Sequence, residues 1–232
     1  HRRRHSFPTR RSSDLPSGAL TVTAPVLFGQ LFVAPAITRF VQRFSRVHCR
    51  VLLFDRIVNL LEEGVDVGIR IGVLEDSTLV AHPVGHVRRM VVASPDFLAR
   101  QGVPAHPRDL LRANCIGFSP TPGVWWRFEE QGRSFGVPVR GNLEFNHVAP
   151  ALDACIAGLG FGMFISYQVA PHLAAGRLVP VLEAFEQAPR PVSVVVPHAR
   201  LLPLRVRAFV DWVRADLSAH LRDAPGTPGS TA

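Results

Sequence analysis

Apolar residues along this chain switch repeatedly between a period of two and a period near 3.6, the signature of strands alternating with helices. In "ALTVTAP", Leu20 and Val22 alternate with Thr21 and Thr23, which predicts a short strand closed by Pro25. Val33, Ile37, Phe40, Val41 and Phe44 then fall on one face of a helix, with Pro35 placed in its first turns, where a missing N–H costs little. "VHCRVLLFD" alternates Val47, Cys49, Val51 and Leu53 as a second strand, over 47–54. Residues 57–63 read as a short helix stopped by Gly64 in the left-handed position. "VDVGIRIG" alternates Val65, Val67, Ile69 and Ile71 as a third strand. Three strands separated by two helices imply parallel pairing through right-handed crossovers.

The second half repeats the alternation with other spacings. "HVRRMVVASPDFLARQG" predicts a strand over 87–94 running into a short helix, and "HPRDLLRANCIGFSP" a helix followed by a strand over 115–119. "VWWRFEEQGRSFGVPVRG" reads as a hairpin turning at Gln131-Gly132, and "NLEFN" as a further strand. Next come a helix over 149–158, a strand over 161–166, and a helix over 167–175 stopped by Gly176. "PVSVVVP" (191–197) is one more strand, and Leu202, Val206, Phe209, Val210, Val213 and Leu217 define a closing amphipathic helix. The order implies two α/β lobes. The chain leaves the first near residues 80–90 and returns near 190–198, so the last helix packs on lobe one and two crossing strands form the hinge. No internal repeat is present.

Composition narrows the possibilities. An apolar fraction of 47% suits a chain with a real core. All 26 basic residues are arginine, the usage of a GC-rich, bacterial coding sequence. Residues 1–15 hold five of those arginines, and without that segment the net charge drops from +8 to +4, weak grounds for nucleic-acid binding. Cys49, Cys115 and Cys155 are odd in number and form no CxxC pair, which argues against a disulfide framework or zinc site and for a reducing, cytoplasmic compartment. No apolar run approaches the roughly 18–20 residues of a membrane span, and the basic start lacks the apolar stretch of a secretory signal.

Candidate chemistry is sparse. In "GLGFGM", Gly158, Gly160 and Gly162 follow a helix and open a strand, the reverse of a dinucleotide fingerprint; a helix stop with close backbone approach accounts for them. His82 and His86 are separated by Pro83 and Gly85, so no helix presents both to a metal. There is no HExxH and no GxSxG elbow, so no enzyme, metal or cofactor is indicated. Glu129 and Glu130 sit at a hairpin turn as solvated residues. Ligands of open α/β sheets bind beyond the carboxyl ends of the strands, where helix N-termini offer free N–H groups to anions. The stretches placed there are "TAPV" after strand one, "GV" after strand three, "SPT" after strand 115–119 and "NHV" before helix 149–158.

From "GALTVTAPVLFGQLFVAPAITRFVQRF" through "DVGIRIG", "ASPDFLARQGVPAHPRDL" and "CIAGLGFGMFISYQVAPHLAAGRLVPVL", the chain resembles the effector-binding domain of LysR-type transcriptional regulators over residues 16–222. The resemblance implies an α/β fold of two Rossmann-like subdomains joined by two crossover strands, like a type 2 periplasmic binding protein. Subdomain I would comprise 16–88 and 191–222, subdomain II 89–190, with a disordered tail at 223–232. It implies a small-molecule effector between the lobes, a homodimer or homotetramer, no cofactor, no membrane, and promoter DNA contacted only through an N-terminal winged helix-turn-helix that this sequence lacks. Carried over by position, the cleft is lined by Thr23, Ala24, Pro25 and Val26, by Gly72 and Val73, by Phe118, Ser119 and Thr121, by Asn146, His147 and Val148, and by Phe161 and Gly162, with Trp125 as a wall. Many members carry a serine at the first turn and a proline near Ile165; Ala24-Pro25 and Ile165-Ser166-Tyr167 stand there instead, which implies a more apolar or aromatic effector. The alternative reading of the same fold is a periplasmic solute-binding protein that serves a transporter.

"SFPTRRSSDL" at residues 6–15 fits neither lobe. Read back into codons it matches a sequencing-library adapter, so residues 1–15 are taken as a non-native segment rather than a DNA-contacting arm.

Overall fold

The computed structural model describes residues 15–74, 78–118, 125–198 and 201–222. The readings of an adapter-derived start and a disordered tail fall almost wholly outside these residues, as do Ser119 and Thr121. Lobe one is a five-stranded sheet in the order β2-β1-β3-β12-β4. Here β1 is Gly18–Ala24, β2 Val47–Leu53, β3 Val67–Ile71, β4 Leu79–Val87 and β12 Arg190–Pro197. β1 pairs in parallel with both β2 and β3, as the strand–helix–strand spacing predicts. β12 runs antiparallel to β3 and β4.

Lobe two repeats this scheme. Its central strands are β10 (Gly162–Ile165), β5 (Arg89–Ala93) and β11 (Val179–Val181), with β5 antiparallel to both neighbours. A parallel bridge from Cys115 to Phe161 sets β6 (Gly117–Phe118) beside β10, and β6 pairs in parallel with β9 (Glu144–Phe145). Each lobe therefore has three parallel strands, one antiparallel strand and an outer strand. In each, the antiparallel strand arrives from the other lobe: β5 directly after β4, and β12 after β11. The two crossovers are built into the sheets.

The first helical run begins earlier than the apolar stripe indicates. α1 (Val26–Phe28) passes through a π-helical turn, Gly29–Val33, into α2 (Ala34–Arg43). Pro35 therefore lies inside the run, not in its first turns. A proline there removes one backbone donor and crowds the preceding turn; the wider π turn, with Ala34 N–H reaching Gly29 O, accommodates it. The expected helix at 57–63 is instead a single turn. Asn59 accepts from Leu61 N–H and Glu62 N–H through its Oδ1, capping a turn that Gly64 (φ 64°) then ends. β4 and β11 were not anticipated as separate strands. The segment Pro107–Arg112 is a 3-10 helix.

Other signals act as their chemistry dictates. α3 (Pro95–Gln101) is capped by Ser94, whose Oγ accepts from Phe97 N–H, and ends at Gly102 (φ 86°). β7 (Trp125–Glu130) and β8 (Arg133–Pro138) are joined at Gln131 and Gly132, both with positive φ, as a two-residue hairpin requires. α4 (Val148–Ile156) ends at Gly158 (φ 80°) and α5 (Ser166–Ala174) at Gly176 (φ 67°). α6 (Leu204–Arg222) returns to lobe one, where its stripe Val206, Phe209, Val210, Val213 and Leu217 joins Leu20, Val22, Phe40 and Ile69 in one core. Lobe two has two smaller cores, centred on Phe128 and Phe161 on one side of its sheet and on Val92 and Phe164 on the other.

Cys115 and Cys155 are buried, and burial pushes both thiols up to about 12. Cys155 Sγ sits 3.4 Å from Gly160 O. Thiolate is the reactive form, so both should resist a thiol reagent at pH 8 while the half-exposed Cys49 reacts. The neutral thiol is favoured in the fold, and the unfolded chain ionises first as pH rises. Stability contributed by these groups is thus complete below their ordinary value near 9 and is lost between about 9 and 12. Counting reacted thiols in native protein checks this; three rapid reactions would contradict it.

Candidate functional site

The carboxyl ends of β1, β2 and β3 open onto a cavity of 960 Å³ between the lobes. β1 brings Thr23, Ala24 and Pro25 to its rim, the loop after β2 supplies Phe54 to Leu60, and β3 with its following turn supplies Ile69 to Leu74. Lobe two contributes Phe118, Trp125, Trp126, Asn146, Met163, Ile165, Tyr167 and Gln168, and the crossover strands contribute Arg89 and Arg190. Three parallel strands ending in register place their last residues at one edge, which is why residues distant in sequence converge there.

The turn after β1 is already hydrogen-bonded. Thr23 Oγ1 donates to Leu52 O at 2.9 Å, which ties β1 to β2 and commits the hydroxyl proton. Pro25 stands at the N-cap of α1 without a side-chain cap, and Val26 N–H donates instead to Asp55 Oδ1 at 3.0 Å. The anion at this helix start is the chain's own carboxylate. The other oxygen of Asp55 lies 3.9 Å from His147 Nδ1 across the cleft. Next to it, Arg56 forms a two-pronged pair with Glu63 at 2.7 and 2.8 Å and covers the Phe54 ring at 4.7 Å. That pairing raises Arg56 and lowers Glu63 from their ordinary values. Arg70, lowered by burial, donates to Val58 O and so fixes the loop after β2 against β3.

The lobes also meet through Tyr167. It begins in α5 of lobe two yet packs edge-on against Phe28 (5.2 Å) and Phe32 (5.8 Å) in the lobe-one core. Gln168 Nε2 donates to its hydroxyl at 3.2 Å, and burial raises its pKa.

Of the residues expected at the cleft, Thr23, Ala24, Pro25, Gly72, Val73, Phe118, Trp125 and Asn146 line the cavity. Val26, His147, Val148, Phe161 and Gly162 do not. Val26 contributes its N–H just beyond the rim, and His147 approaches Asp55 from an exposed position. Val148 and Phe161 are buried in lobe two, Phe161 edge-on to Phe97 at 5.0 Å, because both lie on inward faces of their elements. Gly162 is backbone packed against the Phe164 ring. The glycine run does act as a helix stop and close approach: a Cβ on Gly160 would sit 2.5 Å from Asn114 O.

Sequence reasoning missed the loop after β2, Arg89, Arg190 and the Met163–Gln168 wall. The rule that singled out the ends of strands one and three applies equally to strand two, and would have found Asp55 and its neighbours. Arginine within an apolar strand, as in "VGIRI", was a second available signal. Among the described residues, no group of three or more His, Cys, Asp or Glu side chains is arranged to hold a metal ion.

This architecture, with two sheet lobes exchanging their antiparallel strands around a small-molecule-sized cavity, defines a ligand-binding module of the type 2 periplasmic-binding-protein-like kind. The LysR substrate-binding domain model matches residues 13–218, and the chain belongs to that family, the effector-binding part of LysR-type transcriptional regulators. It is 34% identical over 208 residues to an HTH-type transcriptional repressor of Pseudomonas aeruginosa, covering 88% of this chain and 65% of the relative. It is 32% identical to the regulator PtxR of the same species, covering 87% of this chain and 65% of PtxR. The chain thus spans just under two thirds of the length of these relatives. Full-length AphB of Vibrio cholerae superposes with a TM-score of 0.76 at 26% identity, over 86% of this chain and 68% of AphB. The CrgA regulatory domain of Neisseria meningitidis gives 0.72 at 26% identity, over 87% of this chain and all of that domain. These relatives are transcriptional regulators, so the transporter-receptor alternative is set aside.

Proposed function

We propose that the inter-lobe cavity is the effector site of a bacterial transcriptional regulator, and that the chain binds its effector without turning it over. The observation carrying this reading is the 960 Å³ cavity at the strand ends, within the size range of small-molecule sites. In the whole regulator, effector binding would alter how the lobes sit on the crossover strands, and through a homodimer or homotetramer would reposition N-terminal DNA-reading heads on a promoter in the cytoplasm. Thr23, Pro25, Gly72, Phe118, Trp125 and Asn146 are the contacts proposed for the ligand.

A screen of small organic molecules against the chain tests the reading. A true effector at about 100 times its Kd should stabilise by about 2.7 kcal/mol, raising Tm by roughly 5–11 °C. It should also change tryptophan emission, because Trp125 and Trp126 border the cavity while Trp212 packs under Phe40 in lobe one. A ligand that raises Tm yet leaves that emission untouched, and whose binding survives Gly72→Trp, would place the site elsewhere.

A further inference from the structure

Arg88 and Arg89 are consecutive at the first crossover, Arg88 between β4 and β5 and Arg89 opening β5, and successive side chains of extended backbone turn opposite ways. Arg88 faces outward, donating from Nε to Glu186 at 2.8 Å and from Nη2 to Glu183 at 3.1 Å. Arg89 turns into the cavity. On the second crossover Arg190 opens β12 opposite Val87 and lines the same cavity. Among the described residues neither the Arg89 nor the Arg190 guanidinium has a hydrogen-bond or ion-pair partner. Burial and the charge of Arg190 together lower Arg89 to about 10.

A half-buried pair of like charges without a counter-ion is costly to keep, and cavity-facing arginines elsewhere in this molecule are not kept that way. Arg56 has Glu63 and Arg70 has a carbonyl. Among the described residues the one carboxylate lining the cavity, Asp55, is spent on Val26 N–H at the opposite rim. We infer that Arg89 and Arg190 are the anion subsite of the cavity, and that its ligand is a carboxylic acid with an apolar or aromatic body. The acid points to the crossover strands, and the body lies against Trp125, Trp126 and Phe118. The turn after β1, where a helix start would ordinarily attract an anion, is closed to the acid by Asp55. A single carboxylate spanning both guanidinium groups would tie the two crossover strands together, which links occupancy to the arrangement of the lobes. The effector's polarity is thus opposite to what the apolar Ala24-Pro25 turn alone implies: the charge is at the hinge.

This assignment rests on the effector reading above, which the wider screen of small molecules tests by itself; the test here bears on the carboxylate alone. Benzoate, phenylacetate and salicylate, each beside its neutral amide, are titrated into the 232-residue chain while Tm and tryptophan emission are followed. At least one acid should bind where its amide does not. Arg89→Gln and Arg190→Gln should each weaken that acid by tenfold or more, the loss of a charge-assisted hydrogen bond of about 1.5–3 kcal/mol. Without ligand, both variants should melt no lower than the parent, since each removes repulsion and strands no partner; this readout shows that they fold. Amides that bind as well as acids, or acids indifferent to both substitutions, overturn the anion subsite and leave the effector cavity standing. Failure of all six compounds to move either signal overturns the assignment of an aromatic carboxylic acid and leaves the effector reading to the wider screen.

Discussion

Phe209→Ala should lower the Tm by roughly 6–20 °C. Phe209 is fully buried on α6 and meets Phe40 of α2 edge-on, with ring centroids 5.2 Å apart. Phe40 in turn touches Phe44 and Trp212, and Trp212 Nε1 donates to Ala36 O at 3.0 Å. Removing a buried phenylalanine ring costs about 3–5 kcal/mol, from lost transfer energy plus the cavity left behind. In a chain of this length each kcal/mol moves Tm by roughly 2–4 °C. The upper half of that range is expected, because the neighbours are aromatic rings held by mutual contact and a hydrogen bond, and cannot collapse into the gap. α6 comes from beyond lobe two, so this ring also holds the returning end of the chain on lobe one. A loss under 3 °C by calorimetry would mean that α6 contributes little to the lobe-one core.

That helix was legible from its stripe alone, and so was β1, for a shared reason. When an element buries one face against a core, the period of its apolar residues records the burial locally. Residues 57–63 misled because their apolar spacing imitates one helical turn while Asn59 caps it at once. β11 was missed because it has three residues with Pro180 at the centre, too short for any period to register. The start of α1 was hidden because Pro25 occupies its cap position and the cap comes from Asp55, 29 residues further on.

The candidate site divides along the same line. Turns at the ends of β1 and β3 could be placed because strand direction follows from the order of elements. Whether a side chain beyond a strand end meets solvent, core or cavity depends on pairing between distant segments. Phe161 was expected at the cleft and is in the core, since its bridge to Cys115 turns it toward Phe97. Arg89 and Arg190 went unnoticed although they border the cavity, because the choice between Arg88 and Arg89 as the inward residue is made by the register of β5 on β10, in which Arg89 pairs with Ile165. An alternating strand with two adjacent arginines states that one turns inward; it does not state which.

The second large effect is expected at Gly141, a residue that no motif singled out. A Cβ at this position would run into the backbone carbonyl of Cys115 and the side chain of Asn114, at 2.9 Å from Asn114 Oδ1. Around it the chain is stitched to the segment leading into β6: Cys115 N–H donates to Arg140 O, Gly117 N–H to Leu143 O, and Asn142 N–H to Asn114 Oδ1. Gly141→Ala should therefore cost about 3 kcal/mol, the upper end for overpacking, because the obstacle is backbone and not the end of a flexible side chain. Melting should fall by roughly 6–12 °C. The consequence reaches the cavity, since these bonds set β6 on β9 and thereby the positions of Phe118 and Asn146 at its lobe-two wall. Ligand response should weaken along with stability in Gly141→Ala, whereas Phe209→Ala, acting in lobe one behind the sheet, should lower Tm and leave the affinity of the surviving folded protein within a few-fold. Measuring both variants at a temperature where each is folded separates the two effects. If Gly141→Ala melts like the parent, the segment 140–143 must be free to move away from Cys115, and the lobe-two wall of the cavity is not fixed by these hydrogen bonds.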